Sequence, residues 1–245
     1  ESDFFMSDRL IIVDLQDQDR LGKLIKGYQP DAIVHMAAVA SPVHGNIPEI
    51  YKVNVCGTEN LLNAAASNLS TDAKIILIST AGVYGVQANE YLSEDLAFNP
   101  VNHYSISKMD TEVLSRQYSD TFKIQIVRPF NIIGPGQSHD FLIPKLVHAF
   151  KNKLPKISLG NTASIRDYLD VDSCVKVLFN LLQSDTLIQP ALNICSGIGY
   201  SCNDVIELLG ELTSYSPEIE IADQLIRRNE IWRLVGDNTR IKSFM

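Results

Sequence analysis

No run of apolar residues in the 245-residue chain reaches the roughly 18 needed to span a bilayer, and no signal-peptide pattern opens it. Basic residues are the scarcer sign, 21 Lys and Arg against 29 Asp and Glu, for a formal net charge of −8. That balance argues against nonspecific binding of nucleic acid or an anionic membrane, both of which need a basic face. It leaves open a phosphorylated ligand, which a few local cations and helix N-termini can hold. The 4 cysteines, Cys56, Cys174, Cys195 and Cys202, lack C-x-x-C spacing. In a chain of this length they read as buried thiols of a reducing compartment, so a cytoplasmic location and no metal site are expected. Internal repeats and low-complexity linkers are also missing.

What is present is a 45% hydrophobic chain, enough for one large domain or a domain plus a lobe. Residues 10–13, 32–36, 74–78 and 124–127 are apolar runs without alternation, as expected of strands covered on both faces. Helical patterns at about 19–28, 49–67 and 104–118 fall between them. Strand and helix in this order predict right-handed crossovers and a parallel sheet covered by helices, a doubly wound α/β fold. After Pro129 the rhythm changes. Helices are expected at 141–151, 171–183 and 203–213, with short strands at 157–159, 192–194 and 218–221. This second part predicts a smaller mixed lobe over the C-terminal edge of the sheet.

Tyr104 and Lys108 stand four apart, on one face of the predicted helix. A free phenol titrates near 10, so acid/base work near neutrality needs about 4 kcal/mol of help, part of which a nearby ammonium supplies. The same spacing also fits an exposed, solvated pair. Upstream, strand 74–78 runs into Ser79-Thr80-Ala81-Gly82-Val83-Tyr84-Gly85. A hydroxyl at the C-terminal end of a strand sits where α/β folds place their ligands. Thr80 is therefore a candidate partner for the oxygen that Tyr104 protonates or deprotonates, the alternative being that it merely ends the strand.

Ser-Thr-x-x-x-Tyr-Gly followed by Tyr-x-x-x-Lys resembles the extended short-chain dehydrogenases/reductases, and the likeness continues along nearly the whole chain. Asp14-Leu15 resembles the family's Asp-Leu at the adenine. His35-Met36-Ala37-Ala38 resembles its stretch beside the pyrophosphate and nicotinamide ribose. Asn54-Val55-x-Gly57-Thr58 resembles its Asn-x-x-Gly-Thr helix. Arg128-Pro129-Phe130-Asn131, with Gly134-Pro135-Gly136-Gln137, resembles the segment meeting nicotinamide and substrate. Arg166-Asp167-Tyr168 and Asp170-Val171-Asp172 resemble a further pair of motifs.

The resemblance implies a Rossmann-type sheet over residues 1–130, with about 166–196 returning to it, and a sugar-nucleotide lobe mainly over 131–245. It implies NAD or NADP as cofactor, the choice undetermined, and a homodimer through the helices at 49–67 and 104–118. Asp14, Leu15, Ala37, Ala38, Asn54, Tyr104, Lys108 and Phe130 would bind the cofactor. Thr80, Tyr104 and Lys108 would be catalytic. For the other motif residues the structural readings are His35 as a satisfied core histidine and Asp170 and Asp172 as cap and first-turn charge of a helix. Arg166 is either a diphosphate contact or half of a salt bridge.

Within the family, the dehydratases carry acids at the positions of Ala81 and Gly82, so dehydration is not expected. Three segments are similar to GDP-4-keto-6-deoxy-D-mannose reductases: residues 130–138, residues 193–199, and Arg227-Arg228-Asn229-Glu230 with Gly236-x-Asn238-x-Arg240. This likeness implies Asn131, Arg166, Arg227 and Glu230 as substrate contacts, and reduction of the C4 ketone of a nucleotide-linked 6-deoxyhexose. The alternative is a nucleotide-sugar 4-epimerase using the same residues. The family's glycine turn, Gly-x-x-Gly-x-x-Gly, has no match among Gly22, Gly27, Gly45 and Gly57 and is expected within roughly the first forty family residues, ahead of the match. A chain truly without it would be a non-catalytic sugar-nucleotide-binding protein.

Overall fold

The computed structural model describes residues 10–40, 46–225 and 230–245. Its central sheet is parallel throughout. β1 (Ala32–His35) pairs with β2 (Lys74–Ile78), β2 with β3 (Lys123–Pro129), and β3 with β7 (Leu192–Ile194).

Alternate residues of each strand face opposite sides. Ile33, Ile75 and Ile124 pack on α1 (Gln18–Tyr28) and α3 (Gly57–Asn68), against Leu21, Ile25, Leu61 and Leu62. Val34, Ile76, Val127 and Ile194 pack on α6 (Val171–Gln183) and α8 (Thr239–Phe244), against Val177, Leu181 and Ile241. Both faces are covered, which is why these strands read as continuous apolar runs, and the architecture is a Rossmann-type doubly wound α/β sheet. At the other end of β2, the Lys74 ammonium donates to the carbonyls of Leu181 (2.8 Å) and Ser184, placing a cation at the C-terminus of α6. Asp170 caps the other end of that helix, accepting from the Ser173 amide at 2.8 Å.

Two expectations are corrected. Residues 10–13 form no strand: β1 pairs with β2 alone among the described residues, and an apolar run without a ladder partner stays irregular, with Leu10 74% exposed. The expected helix at 49–67 is broken into α2 (Ile47–Tyr51), a π-helical turn at Lys52–Cys56, and α3. That turn carries Asn54.

The second half holds a further sheet that periodicity does not reveal, because its strands are short and half-buried. β6 (Ile165–Asp170) pairs in parallel with β4 (Asn131–Ile133) and β10 (Arg233–Leu234), and antiparallel with β8 (Gly199–Ser201). Beside it, α5 (Leu142–Lys151) and α7 (Cys202–Thr213) close a small core with β5 (Lys156–Leu159) and β9 (Glu218–Ile221), built on Leu146, Phe150 and Ile157.

Asp167, fully buried on β6, ties this half together. One carboxylate oxygen accepts from the amide and hydroxyl of Ser196 (2.8 and 2.6 Å), the other from the amides of Gly197 (2.8 Å) and Gly236 (3.2 Å). Gly197 has φ +78, and a Cβ there would stand 2.4 Å from Asn238. The two separate reductase-like segments, 193–199 and 236–240, are thus one packed unit. No helix among the described residues is long and apolar enough to cross a membrane.

Candidate active site

β2 ends at Ile78, and the chain turns at once into a short 3-10 helix, Ala81–Tyr84, capped by the Thr80 hydroxyl, which accepts from the Gly82 amide at 3.1 Å. Facing this turn is α4 (His103–Ser115), whose cap, Asn102, accepts from the Ser105 amide at 2.9 Å. The approach is close: a Cβ on residue 82 would lie 2.3 Å from the Ser105 Oγ. A Cβ at residue 82 would have to displace the Ser105 hydroxyl.

This contact brings Thr80 and Tyr104 together in one cavity of about 580 Å³, walled on the far side by Phe130, Asn131, Arg166 and Glu230. Tyr104 is hydrogen-bonded to Thr80. Burial pushes its phenol above the ordinary value, and the Thr80 contact opposes this only in part. At neutral pH the Tyr104 phenol therefore keeps its proton. Lys108, one turn further along α4, is buried, and its ammonium donates to the Ile78 carbonyl at 2.8 Å. Burial lowers its pKa to about 8, with the Glu112 carboxylate pulling the other way.

A second, narrower cavity of about 250 Å³ adjoins the first and shares with it Asn131, Ile132, Gln137, Phe141, Arg166 and Glu230. Along this shared wall, Asn131 donates to the Asp167 carbonyl (2.9 Å), and Arg166 pairs with Glu230 at 2.9 Å. The Gln137 Oε1 is buried there without a partner among the described residues. Arg227 lies outside the described residues.

The other expected positions fall elsewhere. Asp14 is exposed and accepts from the Gln16 amide (2.9 Å), while Leu15 packs among the α1 and α3 side chains; neither lines the Tyr104 cavity. Ala37 is open and Ala38 half-buried in the loop after β1. Asn54 holds that loop: its Oδ1 accepts from the Val39 amide at 2.7 Å, and its amide donates to the Val39 carbonyl (3.2 Å) and to Ser107 Oγ (2.9 Å) on α4. Its polar atoms are spent on the protein, so it acts on the site through the loop. His35 is buried against Thr58 (2.8 Å), and burial, aided by the Lys108 charge, lowers it to about 4. It is a neutral core histidine.

Arg128 also turns away from the cavity. It grips Glu112 with its Nε (3.0 Å) and Nη2 (2.7 Å), while Nη1 donates to the Tyr84 hydroxyl (2.9 Å) and the Glu94 carbonyl (3.0 Å). Neither Glu112 nor the hub role of Asp167 was apparent from sequence. The available signal for Glu112 was its position four residues beyond Lys108, on the same helix face.

A parallel sheet covered on both faces, with a Tyr and a Lys on the helix facing the end of β2, defines a Rossmann-type oxidoreductase of the short-chain kind. The sequence matches the family model for GDP-mannose 4,6 dehydratase over residues 5–245. It is 37% identical over 229 residues to a GDP-6-deoxy-D-talose 4-dehydrogenase of Aggregatibacter actinomycetemcomitans, covering 94% of this chain and 78% of that one. It is 31% identical over 244 residues to the GDP-6-deoxy-D-mannose reductase of Pseudomonas aeruginosa, covering 93% and 78%. The solved structure of RMD from Pseudomonas aeruginosa complexed with NADPH superposes with a TM-score of 0.85 at 28% identity, over 95% of this chain and 80% of that one. The chain belongs to the NAD-dependent epimerase/dehydratase family of extended short-chain dehydrogenases.

Proposed function

We propose that this protein reduces the C4 ketone of a GDP-linked 4-keto-6-deoxyhexose with a reduced nicotinamide cofactor, NADH or NADPH. The observation that carries the reading is the character of the cavity. Tyr104 is a half-buried phenol held as a proton donor beside the Thr80 hydroxyl, and the one carboxylate among the described wall residues, Glu230, is paired with Arg166. Ala81 and Gly82, where dehydratases carry acids, bring no acid/base group, so among the described residues a donor for a new alkoxide is present and these two positions offer no base for eliminating water. Two relatives support the substrate class, since both are named for redox on a GDP-linked 6-deoxyhexose.

The residues present fit the nicotinamide half of the cofactor. Small, open side chains follow β1, and a buried ammonium stands at the end of β2. Bound there, the cofactor supplies the hydride. Tyr104 then gives its proton to the developing C4 alkoxide, Thr80 orients that oxygen, and Lys108 stabilises the resulting phenolate and binds the nicotinamide ribose. Phe130 packs at the floor. Asn131, Arg166 and Glu230 hold the nucleotide diphosphate and its ribose along the wall shared by the two cavities, and Arg227 is a further candidate contact for the diphosphate. Talose and mannose differ only at C4, so the ketone face turned toward the cofactor decides the product.

A homodimer through α3 and α4 and a cytoplasmic location are part of the same proposal. The half-exposed Val113 on α4 supports the first, and sedimentation at micromolar concentration tests it. The activity test is oxidation of NADH and of NADPH at 340 nm by the full-length protein with GDP-4-keto-6-deoxy-D-mannose. Consumption of either cofactor is expected, with a 6-deoxy sugar nucleotide as product. Inertness toward this ketone, coupled with interconversion of UDP-glucose and UDP-galactose, would establish the epimerase instead.

A further inference from the structure

We propose that Glu112, paired with Arg128 beneath the cavity floor, is a positioning residue that fixes the Thr80 turn against α4. The proposal rests on the reading of Thr80, Tyr104 and Lys108 as the reacting set.

The geometry is that of a clamp. Glu112 and Arg128 are 1% and 3% exposed, and they meet through two parallel contacts. The Ser79 hydroxyl donates to the same Glu112 oxygen that receives the Arg128 Nε. Arg128 spends its remaining nitrogen on Tyr84. Thr80 is therefore bracketed: the residue before it is bound by Glu112, and the residue that ends its turn is bound by Arg128. Because Glu112 belongs to the helix that carries Tyr104 and Lys108, the clamp fixes the Thr80 hydroxyl relative to the phenol it faces. A buried ion pair is a weak source of stability, since desolvation offsets most of its attraction. What this pair provides is a fixed distance between two elements.

The same carboxylate, one turn along α4 from Lys108, opposes the effect of burial on that ammonium. The groups facing Lys108 are His35 from β1, the Ile78 carbonyl from β2, and Glu112 from its own helix, with Arg128 on β3 behind Glu112. His35 is neutral above pH 4, so Glu112 supplies the negative charge that opposes the burial of the ammonium.

The test combines three variants of the full-length protein, each followed by 13Cε NMR of lysine, with Lys108 assigned by Lys108→Met, and by the pH profile of kcat. Glu112→Gln removes the charge, so the Lys108 midpoint and the alkaline limb of kcat are expected to fall together by on the order of one pH unit. Glu112→Asp keeps the charge and shortens the reach, so the midpoint stays near wild type while kcat falls. Ser79→Ala leaves the ion pair whole and cuts the tether, so kcat falls by roughly five- to tenfold with KM and the alkaline limb unchanged. A Lys108 midpoint in Glu112→Gln within about 0.2 of wild type, on a scale where a lost opposite charge is worth a unit or more, overturns the charge argument. An unaltered kcat in Ser79→Ala overturns the clamp, and that variant alone decides the question if Glu112→Gln does not fold. The NMR midpoint needs no substrate. A shifted midpoint in a protein that reduces no ketone sinks the functional reading instead, and leaves the charge argument standing.

Discussion

Asp167→Asn changes one atom and one charge behind the cavity wall, and its cost can be worked from the contacts. One oxygen of the asparagine can still accept from the Ser196 amide and hydroxyl, at 2.8 and 2.6 Å in the parent. The new amide nitrogen must then face the N–H groups of Gly197 and Gly236, which donate to Asp167 at 2.8 and 3.2 Å. Turning the amide over only moves the conflict to Ser196. Two charge-assisted hydrogen bonds are lost in a site without water access, at roughly 1.5–3 kcal/mol each, for a total of about 3–6 kcal/mol. Set against the 5–15 kcal/mol typical of a whole domain, roughly speaking, that loss leaves a folded but fragile protein. Urea unfolding followed by far-UV circular dichroism measures it, through a lower midpoint at unchanged slope. Because Ile231 and Leu234 line the Tyr104 cavity next to Gly236, KM is expected to rise as well. A destabilisation below about 1 kcal/mol, the value of one ordinary hydrogen bond, would refute the claim that this carboxylate holds the second half together.

Tyr104→Phe removes the proton donor and keeps the ring, so kcat is expected to fall by roughly 10²–10⁴ with little change in KM, measured as cofactor oxidation at 340 nm. Acid should weaken the fold through His35. Its folded pKa of about 4 lies below its unfolded value of 6.5, so the unfolded chain binds the extra proton between them. Stability is thus complete above the unfolded value and declines as pH falls toward 4, by about 3 kcal/mol in all; His35→Gln should flatten that part of a denaturation-versus-pH curve. Gly82→Ala drives a Cβ to 2.3 Å from Ser105 Oγ and should cost about 1–3 kcal/mol in thermal or urea unfolding, with partial recovery when Ser105→Gly is added.

The central sheet was legible because burial on both faces leaves a plain record: Lys74–Ile78 is the expected strand to the residue, and Val171–Gln183 the expected helix. β4, β6, β8 and β10 left little trace, being two to six residues long and only partly covered, so neither period rises above the background. The π-helical turn at Lys52–Cys56 has the composition of ordinary helix, and only the inward demand of Asn54 betrays it. In the site, Thr80, Tyr104, Phe130, Asn131, Arg166 and Glu230 stand in recognisable motifs, and they share one cavity. The clamp beneath them has no such signature. Glu112 and Arg128 are brought together across 16 residues of sequence by the packing of α4 on β3, and no short motif encodes that meeting.

The full engagement of Asn54 has a consequence for affinity. Val39, just after β1, is already fastened to α4 through Asn54 and Ser107. A molecule entering beside Val39 need not first order that stretch of backbone, which costs roughly 1–2 kcal/mol for each residue so ordered. Binding strength can then come from a few well-aimed contacts. An Asn54 variant would be expected to loosen its grip on ligand without having touched it, and to show the loss as entropy in calorimetry.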